Sequence, residues 1–289
     1  MSGEQGYLDL LKSVLENGEE RQTRNAITYS QFGAQLRFNC RESFPLLTTK
    51  RVFFRGITEE LLWFIRGDTN ADHLADKGVH IWDGNSSREY LDSIGLNSYA
   101  PGDCGPVYGY QWRRWNEYYL GPCKNNGEGI DQFAEVVRLI REEPMSRRIF
   151  MSGWNPQQLK EMCLPPCHVS YQFYVNSKDE LSVSLYQRSA DLFLGLPFNI
   201  ASTATLLYLL CNLCDKKPGD VIISIGDAHI YKDHLSQVKE QLANEIYQSP
   251  TLTINKNLES IEDIENLEFS DFVVNDYKCH KGIKAKMVV

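Results

Sequence analysis

The sequence has no internal repeat, no low-complexity tract and no Pro/Gly/Ser-rich linker. Nothing divides its 289 residues, and one domain over 1–289 is expected. A chain of that length can bury a core without disulfide or metal staples. Basic residues are not in excess: 30 Lys and Arg stand against 38 Asp and Glu, a net charge of −8. That argues against a general nucleic-acid binder, whose footprint is a basic face, so no obligatory nucleic-acid partner is expected. No uninterrupted apolar run of membrane-spanning length is apparent, and no membrane partner is expected. The first residues, Met1-Ser-Gly-Glu-Gln-Gly-Tyr7, carry neither the basic segment nor the apolar core of a targeting peptide. A cytoplasmic protein is expected, with a nuclear or organellar pool left open. The eight cysteines are irregularly spaced and are expected to be reduced thiols. Cys211 and Cys214 form a C-x-x-C inside an apolar run, without the second ligand pair of a metal site. They read as small buried hydrophobes, and no metal is expected.

What is present reads as alternating helices and strands. Tyr7, Leu8, Leu11, Val14 and Leu15 recur on a helical period that stops at Asn17-Gly18. Phe32, Ala34, Leu36 and Phe38 alternate with Gln31, Gly33, Gln35 and Arg37, the pattern of a half-buried strand. Residues 57–66 form an apolar helix ending at Gly67, and a helix over 131–142 buries Phe133, Val136, Val137 and Ile140. Val169, Tyr171, Phe173 and Val175 mark one strand and Leu181, Val183 and Leu185 the next, joined as a hairpin by Asn176 to Glu180. Residues 198–214 are apolar nearly all round, which predicts a helix buried within the molecule. A short strand at 221–225, an amphipathic helix at 230–244 and C-terminal strands complete the pattern. Residues 84–104 and 116–130, rich in Gly, Asn, Ser and Pro, read as long surface loops. The sum is an α+β fold with a mixed sheet flanked by helices.

Two stretches carry chemistry. Cys167 stands where the proline-stiffened Leu164-Pro-Pro-Cys-His enters a strand, a place where a side chain can be held rigidly. A lone cysteine is most often a buried hydrophobe. His168 beside it suggests a hydrolase dyad, but successive strand side chains face opposite ways, so that hydrogen bond is not expected. From Tyr186 to Ser202, polar or glycine positions (Gln187, Arg188, Ser189, Asp191, Gly195, Asn199, Ser202) interrupt an apolar segment. Buried polar groups need partners, and either a structural network or a ligand can supply them. Against the acidic field, an anionic small substrate requires arginines gathered locally. Arg147-Arg148 and Arg188 are the candidates.

Pro165-Pro-Cys-His, Gln187-Arg-Ser, Leu194-Gly-Leu-Pro-Phe-Asn-Ile-Ala-Ser and Gly226-Asp-Ala-His-Ile-Tyr resemble the thymidylate synthase signatures, in that family's order. Phe44-Pro-Leu-Leu-Thr-Thr-Lys-Arg, Glu60-Leu-Leu-Trp-Phe, Gly67-Asp-Thr-Asn, Ile81-Trp-Asp and Gly105-Pro-Val-Tyr-Gly do so too, and the similarity runs from about Tyr29 to Val289. The resemblance implies reductive methylation of dUMP at C5, with 5,10-methylenetetrahydrofolate as co-substrate. It makes Cys167 the nucleophile, activated by Arg188, with Glu60, Tyr108, His168 and Asn199 as further catalytic positions. Arg24, Gln187, Arg188, Ser189, Asp191, Asn199, His229 and Tyr231 are implied to bind dUMP. Arg147 and Arg148 are implied to reach the phosphate from the other subunit of a homodimer whose sheets pack together. Lys50, Ile81, Trp82, Asn85, Asp191, Gly195, Phe198 and Val289 are implied to bind the folate, with Met287-Val-Val289 closing over it.

Three stretches depart from the family pattern. Gln22-Thr-Arg-Asn-Ala-Ile-Thr-Tyr-Ser30 stands in place of Asp-Arg-Thr-Gly-Thr-Gly-Thr, with Arg24 preferred to Arg21 as the phosphate arginine. Glu245-Ile-Tyr-Gln-Ser-Pro replaces Arg-Glu-Pro-Arg-Pro, and Tyr277-Lys-Cys-His280 replaces Tyr-x-Pro-His. The nearest rival is a dUMP hydroxymethylase of the same fold. A dCMP-specific enzyme is expected to carry Asp at 199, where this chain has Asn. A non-catalytic binding relative is disfavoured, because every expected chemical group is present.

Overall fold

A computed structural model describes residues 3–24, 26–122 and 124–288. The first helix, α1 (Gly3–Asn17), is followed by β1 (Glu19–Gln22) and β2 (Ile27–Asn39). Four helices come next: α2 (Phe54–Ile65), α3 (Asp72–Ala75), α4 (Arg88–Ser93) and α5 (Tyr108–Arg113). Then come α6 (Gln132–Glu142), β3 (Phe150–Ser152), β4 (His168–Val175) and β5 (Glu180–Asp191). The long α7 (Gly195–Leu213) leads to β6 (Lys217–Tyr231), α8 (Leu235–Leu242), β7 (Thr251–Ile254), α9 (Ile261–Glu265) and β8 (Phe272–Asn275). Six strands form one mixed sheet in the order β1-β2-β6-β5-β4-β3, and β7 pairs with β8 separately. Among the described residues only β5 and β6 run parallel, which requires a crossover connection, and α7 is that crossover.

Most of α7 is fully buried, as its all-round apolar sequence predicts. Its threonines turn their hydroxyls back onto the helix: Thr203 donates to the Asn199 carbonyl at 2.7 Å and Thr205 to that of Ala201 at 2.8 Å. By length and composition alone α7 could cross a membrane, so the expectation that no such run exists is corrected; 78% of that window lies inside the fold. Helices α1 and α7 pack on the sheet, and α2 packs on α7. On the other face Tyr174, Tyr186 and Phe150 are exposed, each by at least 45%.

Several expectations need correcting. The strand expected at 221–225 extends over fifteen residues, because β6 is central and hydrogen-bonds β2 on one side and β5 on the other. Pairing on both sides carries weak strand formers such as Gly226 and Asp227 into the ladder. Gly226 also has to be glycine, since a Cβ there would lie 2.7 Å from the Arg188 carbonyl oxygen. The helix expected at 230–244 is confined to α8. Residues 84–104 are not merely surface loop: Ser87 caps α4 by accepting from the Tyr90 N–H, and Leu91 is fully buried. Phe32 is exposed, not buried, because Gly33 at φ +84° interrupts the alternation. Seven free cysteines are described, with Cys211 and Cys214 buried as expected; Cys123 lies outside the described residues.

Two of the stretches that depart from the family pattern pack on each other. The Tyr247 and His280 rings stack at 4.7 Å and 3°, and the Lys278 ammonium lies 4.2 Å from the Tyr247 ring centre.

If α7 is the packed centre, Leu207→Ala should lower stability in chemical denaturation by about 2–5 kcal/mol, and a loss below about 1 kcal/mol would show otherwise.

Candidate active site

The C-terminal ends of β5 and β6, the entry to β4, the first turn of α7 and the α2–α5 pair enclose a cavity of about 430 Å³. Of the residues singled out in the sequence, Arg24, Glu60, Ile81, Trp82, Asn85 and Tyr108 line it. So do Cys167, His168, Gln187, Ser189, Asp191, Gly195, Phe198, Asn199, His229 and Tyr231. Residues more than 200 positions apart therefore share one wall.

Cys167 is fixed from three directions. Its N–H donates to the Tyr108 hydroxyl at 2.9 Å, and its carbonyl accepts from the Arg188 N–H at 3.0 Å. The Arg188 guanidinium donates through Nε to the Pro166 carbonyl and through Nη2 to that of Pro165, both at 2.8 Å. It lies 5.5 Å from the Trp154 ring centre, a platform the sequence did not suggest. Arg188 itself does not line the cavity, because its guanidinium is turned onto the loop behind the nucleophile. Burial raises the Cys167 thiol above its ordinary value, and the Arg188 charge and the Tyr108 hydroxyl pull the other way. The expectation that arginine favours the thiolate holds for its contribution but not for the net direction.

Cys167 and His168 both reach the cavity, contrary to the opposite-facing expectation, because β4 begins at His168 and the strand alternation does not extend to Cys167. No dyad results. His168 Nδ1 meets the Tyr171 hydroxyl at 3.1 Å, and burial lowers the imidazole to about 4, so it is neutral near pH 7.

Glu60 receives a hydrogen bond from Trp82 Nε1 at 2.8 Å, and desolvation nevertheless raises its carboxyl to about 7. That value suits a group that takes and gives protons near neutrality. Tyr108 stacks on Phe64 with ring centres 4.7 Å apart. Its oxygen accepts from the Cys167 N–H, and its hydroxyl also favours the Cys167 thiolate.

Gln187 Nε2 donates to Asn199 Oδ1 at 2.7 Å and to the Ser189 carbonyl at 3.1 Å. Gln187 Oε1 is buried without a partner among the described residues, so a bound donor would satisfy it. Asp191 Oδ1 accepts from the N–H groups of Phe193 (3.0 Å) and Leu194 (3.3 Å), shaping the turn into α7. His229 Nδ1 meets Asp227 at 3.2 Å, and Asp227 pairs with Arg21 at 2.6 Å. Arg21 is thereby tied to Asp227, while Arg24 lines the cavity.

The thymidylate synthase family model matches residues 5–289. The chain belongs to the thymidylate synthase family. It is 49% identical to the bifunctional dihydrofolate reductase-thymidylate synthase of Zea mays, over 98% of this chain and 54% of that protein. It is 50% identical to bifunctional dihydrofolate reductase-thymidylate synthase 1 of Arabidopsis thaliana, over 98% and 54% respectively. The namesake of Leishmania amazonensis is 48% identical over 99% and 55%. The chain thus spans about half the length of the curated relatives it matches.

The remaining synthase-family positions are placed differently. Lys50 does not line the cavity: it is buried, its ammonium bonds the Phe193 carbonyl and lies 3.5 Å from the Phe193 ring centre, and desolvation lowers it to about 7. The expectation that it meets a folate tail is corrected for this structure. Arg147 and Arg148 are exposed and away from the cavity. Val289 lies outside the described residues, while Met287 and Val288 line the wall. Phe64, Leu164 and Leu194 also line it without having been singled out, though each sits inside a quoted motif.

The raised Glu60 carboxyl fixes a pH dependence. Its proton-linked stability is full below 4.5 and is lost as pH rises through about 7. Glu60→Gln stays neutral throughout, so it should melt close to the parent at about pH 5 and above it at about pH 8, and a constant offset between the two would refute the shift.

Proposed function

We propose that this chain is a thymidylate synthase that converts dUMP to dTMP, with 5,10-methylenetetrahydrofolate as co-substrate. The carrying observation is Cys167 on the wall of one cavity with Glu60, Tyr108 and Asn199, backed by the Arg188 guanidinium. The Cys167 thiolate adds to C6 of the uracil, the C5–C6 double bond opens and charge passes to O4, which makes C5 nucleophilic. Glu60 is suited to protonate and deprotonate the base during these steps. The Asn199 amide, with its oxygen anchored by Gln187, can accept from N3–H and donate to O4; cytosine offers the reverse pattern. The Tyr108 hydroxyl is suited to assist loss of the C5 proton. His229 and Tyr231 suit the ribose hydroxyl, and Arg24 and Ser189 suit the phosphate.

The apolar wall of Ile81, Trp82 and Phe198, with Asn85 and the free side of Asp191, fits the flat heteroaromatic folate. When bound, the folate supplies the one-carbon unit and the hydride. The expected result is dihydrofolate formed in step with dTMP, followed by product chromatography. Tetrahydrofolate and hydroxymethyl-dUMP as products would overturn the assignment. Cys167→Ser should retain dUMP binding while turnover falls by roughly a thousandfold or more.

We further infer a homodimer through the uncovered sheet face. A parallel strand pair is ordinarily covered on both faces, and here Tyr174, Tyr186 and Phe150 leave one face of the sheet bare. Arg147 and Arg148 precede β3 at the sheet edge, where they are free to reach a partner's phosphate site. Mixing inactive Cys167→Ser with inactive Arg147→Ala/Arg148→Ala should restore about a quarter of parent activity through hybrid dimers, and no recovery would refute shared sites.

A further inference from the structure

Residues 281–288 form a strap with no helix or strand, yet its end, Met287 and Val288, lines the cavity. What holds it there is sparse. Ile283 and Ala285 rest partly buried against the core. Among the described residues one hydrogen bond reaches the strap, from His234 Nε2 to the Lys286 carbonyl at 2.8 Å. Since a carbonyl only accepts, Nε2 carries the hydrogen, and Nδ1 is buried without a partner among the described residues.

The imidazole is itself rigidly seated. His234 is 1% exposed and lies in the single turn between β6 and α8. Its ring meets Tyr231 edge-on at 5.6 Å and Phe193 at 5.7 Å. Tyr231 lines the cavity, and Phe193 leads into α7 beside Leu194 and Gly195, which line it too. A side chain fixed by the cavity's own scaffold therefore grips the strap one residue before the strap reaches the cavity.

We propose that His234 is a positioning residue that latches the strap over the cavity. It touches no reacting atom; it acts through Met287 and Val288. The kinetic consequence rests on the synthase reading above: an unlatched strap weakens the folate side and leaves dUMP binding intact.

The strap carries its own reporter, because Lys281, Lys284 and Lys286 are exposed trypsin sites. His234→Phe keeps the ring and removes the N–H; His234→Gln keeps a donor. In the Phe variant, cleavage after these lysines should accelerate about tenfold, and KM for methylenetetrahydrofolate should rise by a similar factor with kcat and dUMP affinity within about twofold. The Gln variant should stay close to the parent on both measures. Cleavage of the Phe variant at the parent's rate, or no rescue by Gln, would overturn the latch. If the Phe variant does not fold, His234→Asn, too short to reach the carbonyl, takes its place with the same expectations. If the parent shows no turnover, the synthase reading falls while the cleavage rates still decide the latch.

Discussion

The grip of Arg188 on the carbonyls of Pro165 and Pro166 organises the site. A guanidinium drawn away from water needs partners, and two carbonyls immediately ahead of Cys167 supply them. The contact that satisfies the arginine also immobilises the loop and brings positive charge towards the sulfur. Neighbouring features follow from it. Trp154 provides the flat underside, the Arg188 N–H anchors the Cys167 carbonyl, and the Arg188 carbonyl occupies the space that forbids a side chain at position 226.

Desolvation sets the electrostatics of the cavity more than paired charge does. It raises Glu60 and Cys167 and lowers His168, so at rest the wall holds a protonated thiol, a neutral imidazole and a carboxyl poised near neutrality. A wall of this kind discourages fixed charge until a ligand arrives. A thiol kept protonated is also a poorer target for adventitious oxidation than a free thiolate.

The legible parts of the sequence were those where local pattern and tertiary role agree. The apolar girth of α7 and the alternation of β4 and β5 announced their positions, and collinear motifs gathered most of the cavity wall. What was hidden depends on pairing or on distance. The length of β6 comes from neighbours on both sides, which no window of sequence displays. The exposure of Phe32 depends on one left-handed glycine. The shared cavity position of Cys167 and His168 depends on where β4 begins, and the burial of Lys50 on a carbonyl 143 positions away. His234 is conspicuous only once Lys286 is seen beside it.

The stacked rings of Tyr247 and His280 bear on how this sequence can change. Each belongs to a stretch that differs from the family's usual wording, and each supplies the flat surface on which the other rests. Replacing the first stretch with the common version, which has no aromatic, would strand the His280 ring in water and leave Lys278 without its ring, whereas the common version of the second stretch keeps the histidine. Drift at the first place is therefore the costly kind, and chimaeras that exchange that segment should be poorer proteins than those that exchange the second alone.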